Sequence, residues 1–187
     1  MTAVASKRSD DYAIRALDLK QGEMATNNLI ELMGRLSWSL VADSSKVDLK
    51  HAVRTAQFVL GAFMPQPHGS PDLVGGAFVT HSYGSPDGKE QESAWMHLAV
   101  NPVFANRGIG SELNGHCVAD CRHPGGGFRA QMFTTVWDPR MEYFLLRCHS
   151  PRDDRPNRRW EFAWGGVASG CAYKVLRYYH PGGNDRR

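Results

Sequence analysis

Residues 96–121 read MHLAVNPVFANRGIGSELNGHCVADC, and the fold is decided by how this stretch is read. An apolar run ends at Val100, Pro102 interrupts it, and the glycine-bounded RGIGS at 107–111 opens a segment with helical spacing. Leu113, Cys117, Val118 and Cys121 fall on one face of that segment. Glycines between a strand and a helix remove side chains that would keep an anion away from the backbone amides. The helix start adds unpaired N–H groups and a positive dipole end. The turn is therefore suited to an anionic ligand.

Two familiar phosphate motifs are excluded. A P-loop needs glycine, four residues, glycine, lysine and serine or threonine, a string absent from this sequence. A dinucleotide fingerprint needs a third glycine or alanine three residues after the second glycine, where Leu113 stands, and the segments before the turn read as a hairpin.

Upstream of the turn, YAIRAL (12–17) alternates as a first strand, and Leu29, Leu32, Met33, Leu36 and Leu40 recur at helical spacing between Met24 and Val41. SKVD (45–48) resembles a capping box that opens a second helix carrying Leu49, Ala52, Val53 and Ala56 on one face. Gln57–Met64 and Leu73–Tyr83 make a hairpin about a Pro- and Gly-rich loop, and SAWMHLAV (93–100) adds a third antiparallel strand. Downstream, Arg129–Trp137 reads as a strand, Arg140–His149 as a short helix and PRDDRPNRR (151–159) as a charged loop. WEFAW (160–164) and CAYKVLRYY (171–179) read as strands on either side of the glycine-rich GGVASG.

The 187 residues suffice for one core, with 42% hydrophobic and 22% charged residues in the ordinary globular range. Residues 11–181 are expected to form the domain, with flexible tails at 1–10 and 182–187. The longest apolar runs fall well short of the about 20 residues that cross a bilayer. MTAVASKRSDD has no apolar stretch behind its basic residues, so the cytoplasm is the expected compartment. Four cysteines without a C-x-x-C pair fit a reducing environment. A net charge of +3 with interspersed acids argues against a nucleic-acid binder but suits an anionic small ligand.

HLAVNPVFANRGIGSEL resembles the acyl-CoA-binding segment of the GCN5-related N-acetyltransferase (GNAT) superfamily. Val100, Pro102, Phe104, Arg107-Gly108-Ile109-Gly110, Ser111 and Leu113 carry the resemblance, and the order of elements over most of residues 11–180 matches it. The resemblance implies a single α/β (α+β) domain with a mixed, largely antiparallel sheet flanked by helices. It implies acetyl-CoA or a related acyl-CoA as co-substrate and a small-molecule primary amine as acceptor. Coenzyme pyrophosphate would meet the amides of Arg107, Gly108, Ile109, Gly110 and Ser111, and the pantetheine amides would pair with Leu98, Ala99 and Val100. The sequence departs from the family at Ala105, where glutamine or arginine is usual, and at Ala94 and Met96, where relatives carry a basic catalyst.

Acyl transfer to an amine needs a proton acceptor for the amine and a donor for the leaving thiolate. By the resemblance, Tyr143 in DPRMEYFLLR is the donor. Glu92 shares a strand face with Ala94 and Met96 and could act through water, while His97 has the better intrinsic pKa but faces the other way. Cys117, Cys121 and His123 read as helix packing, so no metal is expected. The arginines at 152, 155, 158 and 159 are offset by Asp153 and Asp154, and the tryptophans are mostly core, those near the splayed strands being candidates to line an acceptor pocket. The alternatives are a protein N-acetyltransferase and a non-catalytic acyl-CoA-binding module; the expected state is a monomer or a homodimer, with no nucleic-acid or membrane partner.

Overall fold

The computed structural model describes residues 12–17, 23–36, 46–83, 92–120, 131–136, 138–147, 160–168 and 171–179. Its elements run β1 (Ala13–Ala16), α1 (Glu23–Leu36), α2 (Lys46–Arg54), β2 (Phe58–Met64), β3 (Asp72–Tyr83) and β4 (Glu92–Val100). A 3-10 turn (Pro102–Phe104) precedes α3 (Ile109–Asp120), β5 (Gln131–Val136), α4 (Pro139–Arg147), β6 (Glu161–Ala168) and β7 (Cys171–Tyr179). The strands form one sheet in the order β1-β2-β3-β4-β5-β7-β6. Every neighbouring pair is antiparallel except β4 with β5, giving the mixed α/β domain that the sequence implies.

The sheet separates two apolar layers because alternate side chains of a strand face opposite sides. Ala94, Met96 and Leu98 of β4 pack with Ile109, Leu113 and Cys117 of α3. Phe78 of β3 and Ala99 of β4 pack on the other side with Leu29 and Met33 of α1 and Leu49 and Val53 of α2. Of the helical periods read from the sequence, Leu29 and Met33 of α1, Leu49 and Val53 of α2, and Leu113, Cys117 and Val118 of α3 are core residues, while Leu40 and Cys121 lie outside the described residues. No helix among the described residues is long and apolar enough to cross a membrane.

The glycine-rich stretch expected to separate the last two strands is instead part of β6 as far as Ala168. A Cβ on Gly165 would lie 2.7 Å from the Tyr173 carbonyl oxygen, so glycine lets β7 approach closely there. β1 is one residue shorter at each end than Tyr12–Leu17, β2 begins one residue after Gln57, and α4 begins one residue before Arg140; residues 129, 130, 137, 148 and 149 of the expected β5 and α4 segments lie outside the described residues. The charged loop at 151–159, the proposed cap Ser45, Cys121 and His123 lie outside the described residues, as do Trp38 and Trp137.

The α3 layer holds a buried polar pair: the Trp160 indole Nε1–H donates to Asn114 Oδ1 at 3.0 Å, with both residues almost wholly buried. Asn114→Leu leaves that donor without its acceptor and is expected to lower unfolding free energy by about 1–3 kcal/mol. Urea denaturation measures the loss, and adding Trp160→Phe should cost less in this background than in the parent, because the orphaned donor is removed with the indole.

Candidate functional site

The site starts where β4 and β5 part. Their backbone pairing is confined to Ala94↔Met132 and Trp95↔Phe133. One residue further, the Thr134 hydroxyl donates to the Met96 carbonyl at 2.8 Å, so a side chain takes over where the ladder stops. On the far edge of β4 the pairing with β3 continues to Val100, and the Asn101 amide donates to the Val74 carbonyl at 2.8 Å. Backbone groups alternate sides along a strand. The N–H and C=O of Leu98 and Val100 therefore point into the opening, on the same edge as the Met96 carbonyl. Ala99, grouped with them on sequence grounds, turns its backbone to β3, where it pairs with Gly76, and buries its side chain beneath α1 and α2.

The chain leaves β4 through a tightly specified turn. Asn101 Oδ1 accepts from the Val103 amide at 3.1 Å and caps the 3-10 turn that Pro102 begins. Asn106 and Gly108 then adopt positive φ, 63° and 84°. Asparagine is among the few non-glycine residues that enter this region readily, and glycine does so without strain. The first bond inside α3 runs from the Glu112 amide to the Gly108 carbonyl at 3.0 Å. The amides of Ile109, Gly110 and Ser111 precede it and have no partner within the helix, so they form a cluster of outward donors at the positive end of the helix dipole.

Gly110 is needed for a different reason than open space for an anion. A Cβ there would sit 3.3 Å from the Phe144 ring of α4, so the residue sets how closely α3 and α4 approach. The Arg107 guanidinium lies 5.6 Å from the centre of the Phe104 ring and leaves the turn itself to backbone groups.

A cleft of about 590 Å³ opens between the start of α3 and α4, lined by Asn106 and Ser111 on one side and Arg140, Tyr143 and Arg147 on the other. Residues 140, 143 and 147 share a face of α4 because three and four residues make one helical turn. Asp138 caps this helix, accepting from the Arg140 amide at 2.8 Å, and its carboxylate also binds the Arg140 side chain. These hydrogen bonds hold the Asp138 carboxyl below the usual carboxylate range. Arg147 lies with its guanidinium 4.1 Å from the centre of the Tyr143 ring, a cation–π contact. Tyr143 is 58% exposed on the cleft wall and is therefore not the buried helix aromatic that its neighbours in sequence would allow.

The proton-handling candidates are separated. Ala94 and Met96 are fully buried against α3. Glu92 is the first residue of β4, paired with Tyr83, four residues from Met96 and so roughly 13 Å along an extended strand. His97 projects from the α1/α2 side of the sheet, stacked on Phe78 at 4.5 Å between ring centres, with Nε2 3.5 Å from Thr80 Oγ1. Further along the same side, Trp95, Phe133 and Trp164 form a ring cluster with centres 5.5–6.4 Å apart. Two of the tryptophans thus stand beside the parting strands, whereas Trp160 belongs to the core.

Sequence reasoning missed Thr134, the groove-facing Arg140 and Arg147, and a hydrogen bond from the Tyr12 hydroxyl to Glu112 Oε2 at 2.7 Å. The cation pair had a visible signal, an i, i+7 spacing on one helix face. The other two link segments far apart in the chain.

No protein-family model and no curated protein matches the sequence. Solved structures do match its shape. A chain of the NatC complex bound to Gag peptide and CoA superposes with a TM-score of 0.61 at 10% identity, over 90% of this chain and 98% of that one. Arabidopsis thaliana NAA60 in complex with a bisubstrate analogue gives 0.60 at 13% identity, over 89% and 95%. An acetyltransferase of the GNAT family from Streptococcus pneumoniae gives 0.55 at 14% identity, over 89% and 98%. The fold is that of the GNAT acetyltransferases. Nearly the whole length of each neighbour is spanned.

Burial pushes the His97 pKa from 6.5 down to about 4. Between these values the unfolded chain binds more protons than the folded one, so stability falls as pH drops from about 6.5 towards 4. The expected loss is at most about 3 kcal/mol, and less in proportion to the water the ring retains. Denaturant melts at pH 7 and 4.5 should show a smaller drop for His97→Phe than for the parent.

Proposed function

We propose that this GNAT-fold chain is an acyl-CoA-dependent N-acyltransferase, with acetyl-CoA as the first candidate donor and a primary amine as acceptor. The observation that carries the reading is the coincidence of two donor sets: the outward amides of Ile109, Gly110 and Ser111, and the unpaired-edge backbone of Leu98 and Val100 in the opening between β4 and β5. A coenzyme A thioester has a pyrophosphate for the first set and pantetheine amides for the second. The structures of yncA from Salmonella typhimurium, with its cofactor acetyl-CoA, and of RimL, with coenzyme A, support this assignment at the level of the shared fold.

With pyrophosphate at the α3 turn and pantetheine along β4, the thioester comes to rest near Met96 and His97, where the strands close again at Trp95 and Phe133. The amine nitrogen attacks the thioester carbonyl, the C–N bond forms and the C–S bond breaks. The departing thiolate takes one proton and the new ammonium loses one. Tyr143 is proposed as the thiolate's donor on the resemblance of its segment to the family's motif; its ring is exposed in the cleft beside the α3 turn. For the amine's proton, His97 is proposed as the first acceptor through water on position alone, being nearer the reacting carbonyl than Glu92, the second; burial weakens the imidazole as a base. Direct transfer is proposed over an acyl-enzyme: Cys117 is sealed in the core, and Cys121 and Cys148 lie outside the described residues.

The acceptor is proposed as a small-molecule amine, with a protein N-terminus as the second class. A non-catalytic coenzyme-binding module is favoured by one observation, the fully buried Ala94 and Met96 at positions where a base would stand.

Calorimetry with acetyl-CoA followed by thiol-release assays over small amines and short peptides tests the reading. Saturable binding with amine-dependent thiol release is expected. Binding without release by any acceptor supports the module, and no binding removes the coenzyme assignment. Tyr143→Phe should lower turnover by about 10²- to 10⁴-fold with little change in coenzyme affinity. A loss confined to affinity would make Tyr143 a wall of the cleft. In the same assay, His97→Gln should reduce turnover about tenfold or more and Glu92→Gln less.

A further inference from the structure

The first turn of α3 carries a carboxylate, Glu112, one residue beyond the amides assigned to pyrophosphate. A negative side chain here is favoured by the helix dipole when the site is empty, and it competes for the same positive end when an anion binds. The carboxylate is engaged from the opposite edge of the sheet: the Tyr12 hydroxyl donates to Glu112 Oε2 at 2.7 Å in a partly buried contact. The same hydroxyl lies 3.6 Å from the place a Cβ would take on Gly108, so it is wedged between the positive-φ glycine of the turn and the carboxylate.

We propose that Tyr12 is a positioning residue for coenzyme binding: it holds the Glu112 carboxylate towards β1 and away from the anion-binding amides of the α3 turn. The inference rests on the coenzyme reading above. Desolvation, reinforced by the hydrogen bond to Glu112 and by its charge, raises the phenol pKa, which keeps the hydroxyl protonated and donating throughout the neutral range. Losing the hydroxyl frees Glu112 to sample the region in front of Ile109–Ser111, where its charge opposes the coenzyme phosphates. A carboxamide at 112 removes that charge whatever Tyr12 does.

A thermodynamic cycle on the full-length chain separates this from simple bracing of β1 against α3. Coenzyme A affinity is measured by calorimetry for the parent, Tyr12→Phe, Glu112→Gln and the double variant, at low and high salt, with a thermal melt of each. Tyr12→Phe is expected to weaken coenzyme A about three- to tenfold at low salt and less at high salt, as a screened charge effect requires. Glu112→Gln should bind at least as tightly as the parent, and Tyr12→Phe should have no further effect in the Glu112→Gln background. Equal penalties for Tyr12→Phe in both backgrounds, or weaker binding by Glu112→Gln alone, overturn the proposal. So does parent-like affinity of a folded Tyr12→Phe. If the parent itself does not bind coenzyme A, the coenzyme reading fails and the inference goes with it. A parent that binds while the penalties simply add defeats only the role given to Tyr12.

Discussion

The arrangement depends on an incomplete strand pairing. Two parallel residue pairs join β4 to β5, and then the ladder ends with the Thr134 hydroxyl on the Met96 carbonyl. A buried carbonyl that lost its ladder partner without a substitute would be costly, so the hydroxyl is what allows the strands to separate inside a packed sheet. The divergence is held from both sides. β4 stays fixed to β3 through Val100, while β5 is carried away by its antiparallel pairing with β7 along its whole length. Backbone groups that would otherwise close the sheet are left for a ligand. The α3 turn stands at the end of that opening because it follows β4 directly.

The positive character of the site comes mostly from the backbone and from the way nearby charges are occupied. Arg140 is tied to Asp138, and Arg107 lies over Phe104. Arg147 has no carboxylate partner among the described ion pairs and lies on the Tyr143 ring. A modest net charge of +3 is thus compatible with an anion site, since the local field is set by oriented amides and one poised guanidinium rather than by an excess of cations.

Legibility in the sequence followed the range of the interactions. The RGIGS turn and the helical faces of α1 to α3 depend on neighbours within a few residues, and they were readable. The alternation of β4 could be read as well, including the opposite orientation of His97. What alternation alone did not show was which edge of the strand the backbone of Ala99 serves, because that depends on where β3 pairs. Gly165 and Gly166 looked like a loop by composition but are strand, since the approach of Tyr173 is a tertiary fact. Tyr12 and Glu112 are 100 residues apart, and no spacing rule connects them. The exposure of Tyr143 likewise depends on how α4 lies on the sheet, and Gly110 decides that by admitting Phe144.

The strand order β5-β7-β6 also has a consequence for biosynthesis. Because β6 is bonded only through β7, it emerges from the ribosome before the strand that will attach it exists. Until Cys171–Tyr179 has been synthesised, β5 presents a bare edge and β6, with the exposed side chains of Phe162 and Val167, has nowhere to dock. A nascent chain that has reached β5 therefore has five of the seven strands and an open flank, the condition in which unpaired strands recruit chaperones or each other. Completion of the fold is deferred to the last strand, and premature termination before it would release a protein with its α3 turn made and its sheet unfinished.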